Sequence, residues 1–266
     1  MTTRGVSNTM SEALRESDAA ALDSAALLHT PAKNNVVIET AGVVKALGEG
    51  AARVLALKGV SIALSGGELT MLMGPSGSGK TTLLSILGCL LSPTEGVVKI
   101  RGRTVTGAGA EELAKLRREN IGFIFQSYHL FPTLMAEENV RLPLDVRGER
   151  TQAALVKARE ALASVGLSHK LRSFPRDMSG GEQQRVAIAR AIVGDPAVVL
   201  ADEPTAALDS ENGGAIMGLL AEIAKEATRA VFVVTHDPRI LPFANRIVRI
   251  EDGLLVSDDR TSAKVQ

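Results

Sequence analysis

The stretch Gly74-Pro75-Ser76-Gly77-Ser78-Gly79-Lys80-Thr81 decides the architecture. Upstream, Gly66-Gly67 turns the chain into a short buried strand, Leu69 to Met73; downstream, a helix is expected from Lys80 to about Leu91. A strand that feeds a glycine-rich loop and then a helix is built to hold phosphate. Glycines reach backbone angles closed to other residues, so successive N–H groups can turn inward onto phosphate oxygens. The helix that starts near Lys80 adds its positive end to the same place. The order glycine, four residues, glycine, lysine, then Ser or Thr assigns Lys80 to the β- and γ-phosphates and the Thr81 hydroxyl to magnesium. With Thr82 beside it, the loop is the expected binding site for ATP and Mg2+. Against this stands only the plain reading, a glycine turn that happens to precede a lysine.

Outward from the loop, short apolar runs alternate with helical ones. Val36-Val37-Ile38 opens the pattern, Val97 to Ile100 follows a Pro93-Thr94-Glu95-Gly96 turn, and Ile121, Phe123 and Phe125 share one face of a strand. Val198 to Ala201 and Ala230 to Thr235 are further strands, whereas residues 127–178 carry a helical pattern, clearest over 151–165. Such alternation predicts an α/β fold, a P-loop NTPase core whose mostly parallel sheet binds ligands at the carboxyl ends of its strands. Residues 127–178 read as a helical insertion into that core. Residues 1–34 read as a flexible extension, 35–258 as one domain and 259–266 as a tail.

Composition narrows the function. With 266 residues, 45% of them apolar, the chain can bury a full core. Thirty basic side chains balance thirty acidic ones, which argues against a nucleic-acid partner. The single cysteine, Cys89, lies in the apolar run Leu83 to Leu91 and is expected to be buried and inert. No run approaches the roughly 18 apolar residues of a membrane span, and residues 1–30 lack the apolar stretch of a secretory signal. A soluble protein inside the cell is the expectation.

Two more motifs carry chemistry. Val198-Val199-Leu200-Ala201-Asp202-Glu203 ends a buried strand in two carboxylates. Asp202 is placed to hold magnesium, directly or through water, and Glu203 to polarise an attacking water. Alone, it is equally an ordinary strand with an acidic turn. Met178-Ser179-Gly180-Gly181-Glu182-Gln183-Gln184-Arg185 precedes a helix, where a serine hydroxyl and free N–H groups form a second anion site. Locally this is a helix cap. A chain with one nucleotide loop has a use for a second phosphate site if it faces the nucleotide of another subunit.

The order of these elements resembles the ATP-binding subunit of ABC transporters, from Val36 to near Val256. The resemblance implies an ABC ATPase fold: a P-loop core with an antiparallel β subdomain and an inserted helical subdomain. It matches Gln126 to the family's glutamine loop, which senses the γ-phosphate and adds a magnesium ligand. Ser179-Gly180-Gly181-Glu182-Gln183 matches the signature that touches ATP across a dimer, Glu203 the catalytic glutamate, Ala207-Leu208-Asp209 the D-loop at the subunit contact, and His236 the switch histidine. The implied partners are a second ATPase subunit, a membrane permease and a periplasmic adaptor, and the implied location is the cytoplasmic face of the inner membrane. Ile121 to Gln126, Leu200 to Ser210 and Thr235 to Leu241 are similar to exporters of the lipoprotein-release, macrolide and heterocyst-glycolipid types. A regulatory ABC ATPase of the cell-division type would keep every motif.

The sequence departs from the family in two places. The aromatic that usually stacks on adenine aligns with Leu47, and no aromatic precedes Phe123; the signature opens on Met178 where leucine is usual.

Overall fold

The computed structural model describes residues 35–149 and 151–261. Strand β1 (Val36–Leu47) and strand β2 (Val54–Ser65) form a long antiparallel hairpin, rich in β-branched residues. The Gly66-Gly67 turn leads into β3 (Leu69–Met73), buried at all five positions, and then through the glycine loop into helix α1 (Lys80–Leu87). Strand β4 (Glu95–Ile100) returns antiparallel to β1, and β5 (Arg103–Thr104) folds back on it. These give one sheet in the order β2-β1-β4-β5, antiparallel throughout.

Helix α2 (Ala110–Asn120) leads into β6 (Ile121–Ile124). Three helices follow: α3 (Ala136–Val146), α4 (Gln152–Ser164) and α5 (Gly180–Ile192). The chain then alternates through β7 (Val198–Asp202), α6 (Ser210–Ala224), β8 (Ala230–Val234), β9 (Arg246–Glu251) and β10 (Leu254–Arg260). The second sheet has the order β10-β9-β3-β8-β7-β6, parallel except at the β9–β10 edge. This is the expected α/β architecture.

The parallel sheet is covered on both faces, as its uninterrupted apolar strands require. In β7, Val199 and Ala201 join the core shared with α3 to α6, while Val198 and Leu200 join the core shared with α1 and the antiparallel sheet. In β8, Val231 and Val233 take the first side and Phe232 and Val234 the second. Each fully buried side chain of this kind contributes about 1.5–3 kcal/mol of transfer free energy. One approach is unusually close: a Cβ on Gly122 would lie 2.2 Å from the carbonyl oxygen of Ala191, so β6 and α5 meet backbone to backbone.

Several boundaries differ from the sequence expectation. Helix α1 stops at Leu87, not Leu91, because Cys89 turns left-handed at φ +54° and the Leu90 N–H closes back on the Ser85 carbonyl at 2.8 Å. The Arg117 guanidinium then donates to the Cys89 carbonyl at 2.6 Å. Cys89 itself is buried, and burial pushes its thiol up to about 11. Strand β6 ends at Ile124 because the Tyr128 N–H donates to the Phe125 carbonyl and the chain turns. Strand β10 crosses the 258/259 boundary, anchored where Arg246 Nε donates to Asp258 Oδ1 at 2.6 Å inside the protein. The flexible extension assigned to 1–34 lies outside the described residues, as does the tail beyond Thr261.

Candidate nucleotide site

Because β3, β8, β7 and β6 are parallel and adjacent, their carboxyl ends share one edge of the sheet. The segments leaving that edge carry Gly74 to Thr82, His236, Asp202 with Glu203, and Gln126. A cleft of about 750 Å³ gathers them, with Leu47, Val54 and Leu55 also in its lining. Register in the sheet thus assembles residues up to 162 positions apart in sequence, Gly74 to His236.

The loop explains its own glycines. A Cβ on Gly74 would meet the Ile250 carbonyl oxygen at 2.1 Å. Gly79, at φ +102°, would bring one to 2.5 Å from the Ala56 carbonyl oxygen. The loop is therefore wedged between β9 and β2, and any side chain at either position would displace a strand. The first intrahelical bond of α1 runs from the Leu83 N–H to the Gly79 carbonyl, so the N–H groups of the first turn remain for a ligand. Lys80 folds back across this mouth and donates to the carbonyls of Gly74 and Pro75, each at 2.7 Å. Ser78, expected among the binding residues, instead turns beneath the loop. It is buried, it does not line the cleft, and its Oγ lies against Gly74.

The acidic pair is split by the backbone. Asp202 closes β7, and burial pushes its carboxyl above the usual range; the neighbouring Glu203 charge adds to this and Lys80 opposes it. Thr81, Gln126 and Asp202 offer a hydroxyl, an amide oxygen and a carboxylate, hard oxygen donors that suit Mg2+. A carboxylate held at a cost to its charge is also one that a cation relieves. The donor set fits the metal. Glu203 adopts a left-handed conformation at φ +48°, a strained state for a residue with a side chain. Its N–H still donates to the Val234 carbonyl at 2.9 Å, and one carboxylate oxygen meets His236 Nδ1 at 2.7 Å. Neither the strain nor the Glu203–His236 contact has a sequence signal.

The structure does not bring the serine–glycine motif into this cleft. Ser179 caps α5: its Oγ accepts from the Glu182 N–H at 3.2 Å while Glu182 Oε2 accepts from the Ser179 N–H at 2.8 Å. That bond, with Lys170 at 3.2 Å, holds the Glu182 carboxyl below the usual carboxylate range, so Glu182 serves the cap. Gly180 is packed under the Tyr128 hydroxyl, and Gly181 against Asn212. Asp209 caps α6 by accepting from the Asn212 N–H at 2.9 Å, and hydrogen bonds from Asn212 pull its carboxyl down. The starts of α5 and α6 are thus joined, and Gln184 Nε2 ties α5 to the Pro204 carbonyl at 2.8 Å, just past Glu203.

Comparison with known proteins identifies the family and the fold. A family model described as ABC transporter matches residues 57–206. The chain is 48% identical over 216 residues to a macrolide export ATP-binding/permease protein, MacB 1/2, of Paracoccus denitrificans, covering 81% of this chain and 32% of that one. It is 43% identical over 232 residues to the pyoverdine export ATP-binding/permease protein PvdT of Pseudomonas syringae pv. tomato, covering 87% and 34%. It spans about a third of the length of these relatives. Among solved structures, the ATP-binding cassette MJ0796, dimeric and bound to ADP and Pi, superposes with a TM-score of 0.77 at 41% identity, covering 85% of this chain and 99% of that one.

Proposed function

The chain belongs to the ABC transporter family as its ATP-hydrolysing cassette, and from that premise we propose that it pairs head to tail with a second cassette and drives a membrane export permease with the ATP hydrolysed between them. The observation that carries the reading is the separation of the two phosphate-binding motifs. The Lys80 loop lies in the cleft, whereas Ser179 caps a helix outside it. A second chain can supply the missing motif, and the MJ0796 cassette is dimeric.

In this scheme the loop N–H groups and Lys80 bind and orient the β- and γ-phosphates. Thr81, Gln126 and Asp202 hold the Mg2+. When bound, that ion offsets charge on the phosphate oxygens. Glu203 takes the proton from the attacking water, and its bond to His236 orients the carboxylate before the γ-phosphate is engaged. Gln126 follows the γ-phosphate, and Asp209 lies along the contact with the second cassette. Among the described residues no helix is long and apolar enough to cross a membrane, and in this scheme a membrane permease supplies the path. The similarity to MacB and PvdT favours export, with a periplasmic adaptor as a further component and the cytoplasmic face of the inner membrane as the location.

Glu203→Gln tests the reading. It should retain ATP binding, slow turnover by roughly 100- to 10,000-fold, and accumulate a dimer in ATP and Mg2+ that size-exclusion chromatography with light scattering resolves. Near-normal turnover would remove Glu203 from the role of base. A chain that stays monomeric with ATP bound would overturn the head-to-tail pairing.

A further inference from the structure

Just past Gln126 the chain is gripped by a side chain from α5. Arg190, in the last turn of α5, donates to the Tyr128 carbonyl at 2.7 Å and to the His129 carbonyl at 2.6 Å. Both residues are left-handed, at φ +60° and φ +48°. Two consecutive non-glycine residues in that region are strained and persist only where the surroundings impose them. The guanidinium fork imposes them here, because a planar group with two parallel donors matches two neighbouring carbonyls and fixes their separation.

The rest of the segment is pinned as well. The Tyr128 N–H donates to the Phe125 carbonyl at 3.1 Å, and the His129 ring lies 4.8 Å from the Phe125 ring. Farther on, Asn139, fully buried in α3, accepts from the Phe131 N–H at 2.8 Å and donates back to the Phe131 carbonyl. Gln126 and Ser127 are the exposed links between these anchors. The position of Gln126 is therefore set from β6 on one side and from α5 on the other. Helix α5 is capped by Ser179, and a helix of this length is a rigid rod of about 20 Å.

We propose that Arg190 is a positioning residue that couples the signature helix to Gln126: movement of α5 when Ser179 engages a nucleotide is passed through the guanidinium to the loop that carries the γ-phosphate-sensing amide. The inference rests on the role proposed for Gln126, and it gives the linkage a physical part. Lysine keeps the charge at this position but is a point donor that cannot fix two carbonyls at once. The fork is what the coupling requires.

The experiment measures kcat, KM and nucleotide Kd for the full chain, Arg190→Lys, Gln126→Ala and the double variant. Arg190→Lys should lower kcat at least tenfold with Kd changed less than twofold, and in the Gln126→Ala background it should change kcat less than twofold. Unaltered kcat in Gln126→Ala alone would remove the sensor role on which the proposal rests. An impaired Gln126→Ala combined with independent, multiplicative losses in the double variant would overturn the linkage while leaving the sensor intact. If Arg190→Lys does not fold, His129→Gly loosens the same segment at its other left-handed residue without touching the guanidinium or the Tyr128 ring. It should give the same kcat loss and the same non-additivity with Gln126→Ala, and multiplicative losses there would likewise overturn the proposal.

Discussion

Leu47, at the end of β1, aligns by resemblance with the aromatic that stacks on the base, and it lines the cleft with Val54 and Leu55. All three are substantially exposed, and they offer apolar contact without a π-face. Leu47→Tyr should tighten ATP binding by about 0.5–1.5 kcal/mol, the usual worth of an aromatic pair; an unchanged Kd by isothermal titration would place the base elsewhere. Asp202 gives a prediction of the opposite kind. Its folded pKa is raised, so the folded chain binds the proton more tightly than the unfolded one, and stability falls as pH rises from the unfolded value through the folded value. Asp202→Asn removes a charge that the folded protein holds at a cost. The nucleotide-free variant should melt about 1–3 °C higher than wild type near neutral pH, with the gain shrinking toward acid, while Mg2+-dependent nucleotide binding is lost. A lower melting temperature at neutral pH would contradict the account. At this scale the sequence was legible wherever a residue type has one use, as with the glycines at 74 and 79. Ser78 shows the limit: the motif names the residue, but only the folded loop reveals that its side chain is buried against Gly74 and off the cleft.

Between elements, energetics rest on close approach. Helix α5 touches β6 at Gly122, where an added Cβ would sit 2.2 Å from the Ala191 carbonyl. Gly122→Ala should therefore destabilise the chain by about 1–3 kcal/mol through overpacking, read as a lower denaturant midpoint with an unchanged slope. Stability equal to wild type would mean the two elements part without cost. The strands around 36–38, 69–73, 97–100, 121–124, 198–201 and 230–234 were readable from apolar runs and their period, whereas β9, β10 and the order of strands in each sheet were not. Ends were not, because they depend on individual turn and side-chain bonds: Leu90 onto Ser85 past α1, Tyr128 onto Phe125 past β6, and Arg246 of β9 onto Asp258 of β10. The same holds for the polar joints between α5 and α6. Gln184 reads as an ordinary amphipathic position, yet it is fully buried and donates to the Pro204 carbonyl. A neutral amide buried with a carbonyl partner leaves no trace in composition or spacing.

At the scale of the whole molecule, the segment after Gln126 bears on how the cassette meets its membrane partner. The aromatic cluster of Phe123, Phe125, Tyr128 and Phe131 is divided in space. Phe123 and Phe125 stack on one another at 5.6 Å, and Phe123 packs into the core beside Gly88. Tyr128 turns toward Gly180 at the start of α5, so its ring supports the signature helix. Phe131 alone is exposed, with 54% of its surface open, although its backbone is fixed by Asn139 on both sides. A large apolar side chain held rigidly on the surface can bind a partner without first paying to order itself. In the proposed transporter, Phe131 is therefore the better docking residue and Tyr128 the internal support. Phe131→Ala should fold and melt as wild type, bind ATP normally and lose retention of a membrane protein in pull-downs from native membranes. Tyr128→Ala should instead lower turnover while retaining that membrane protein. Equal loss of retention in the two variants, with melting temperatures unchanged, would mean that both rings face the partner, and retention by Phe131→Ala at the wild-type level would place the docking surface elsewhere on the cassette.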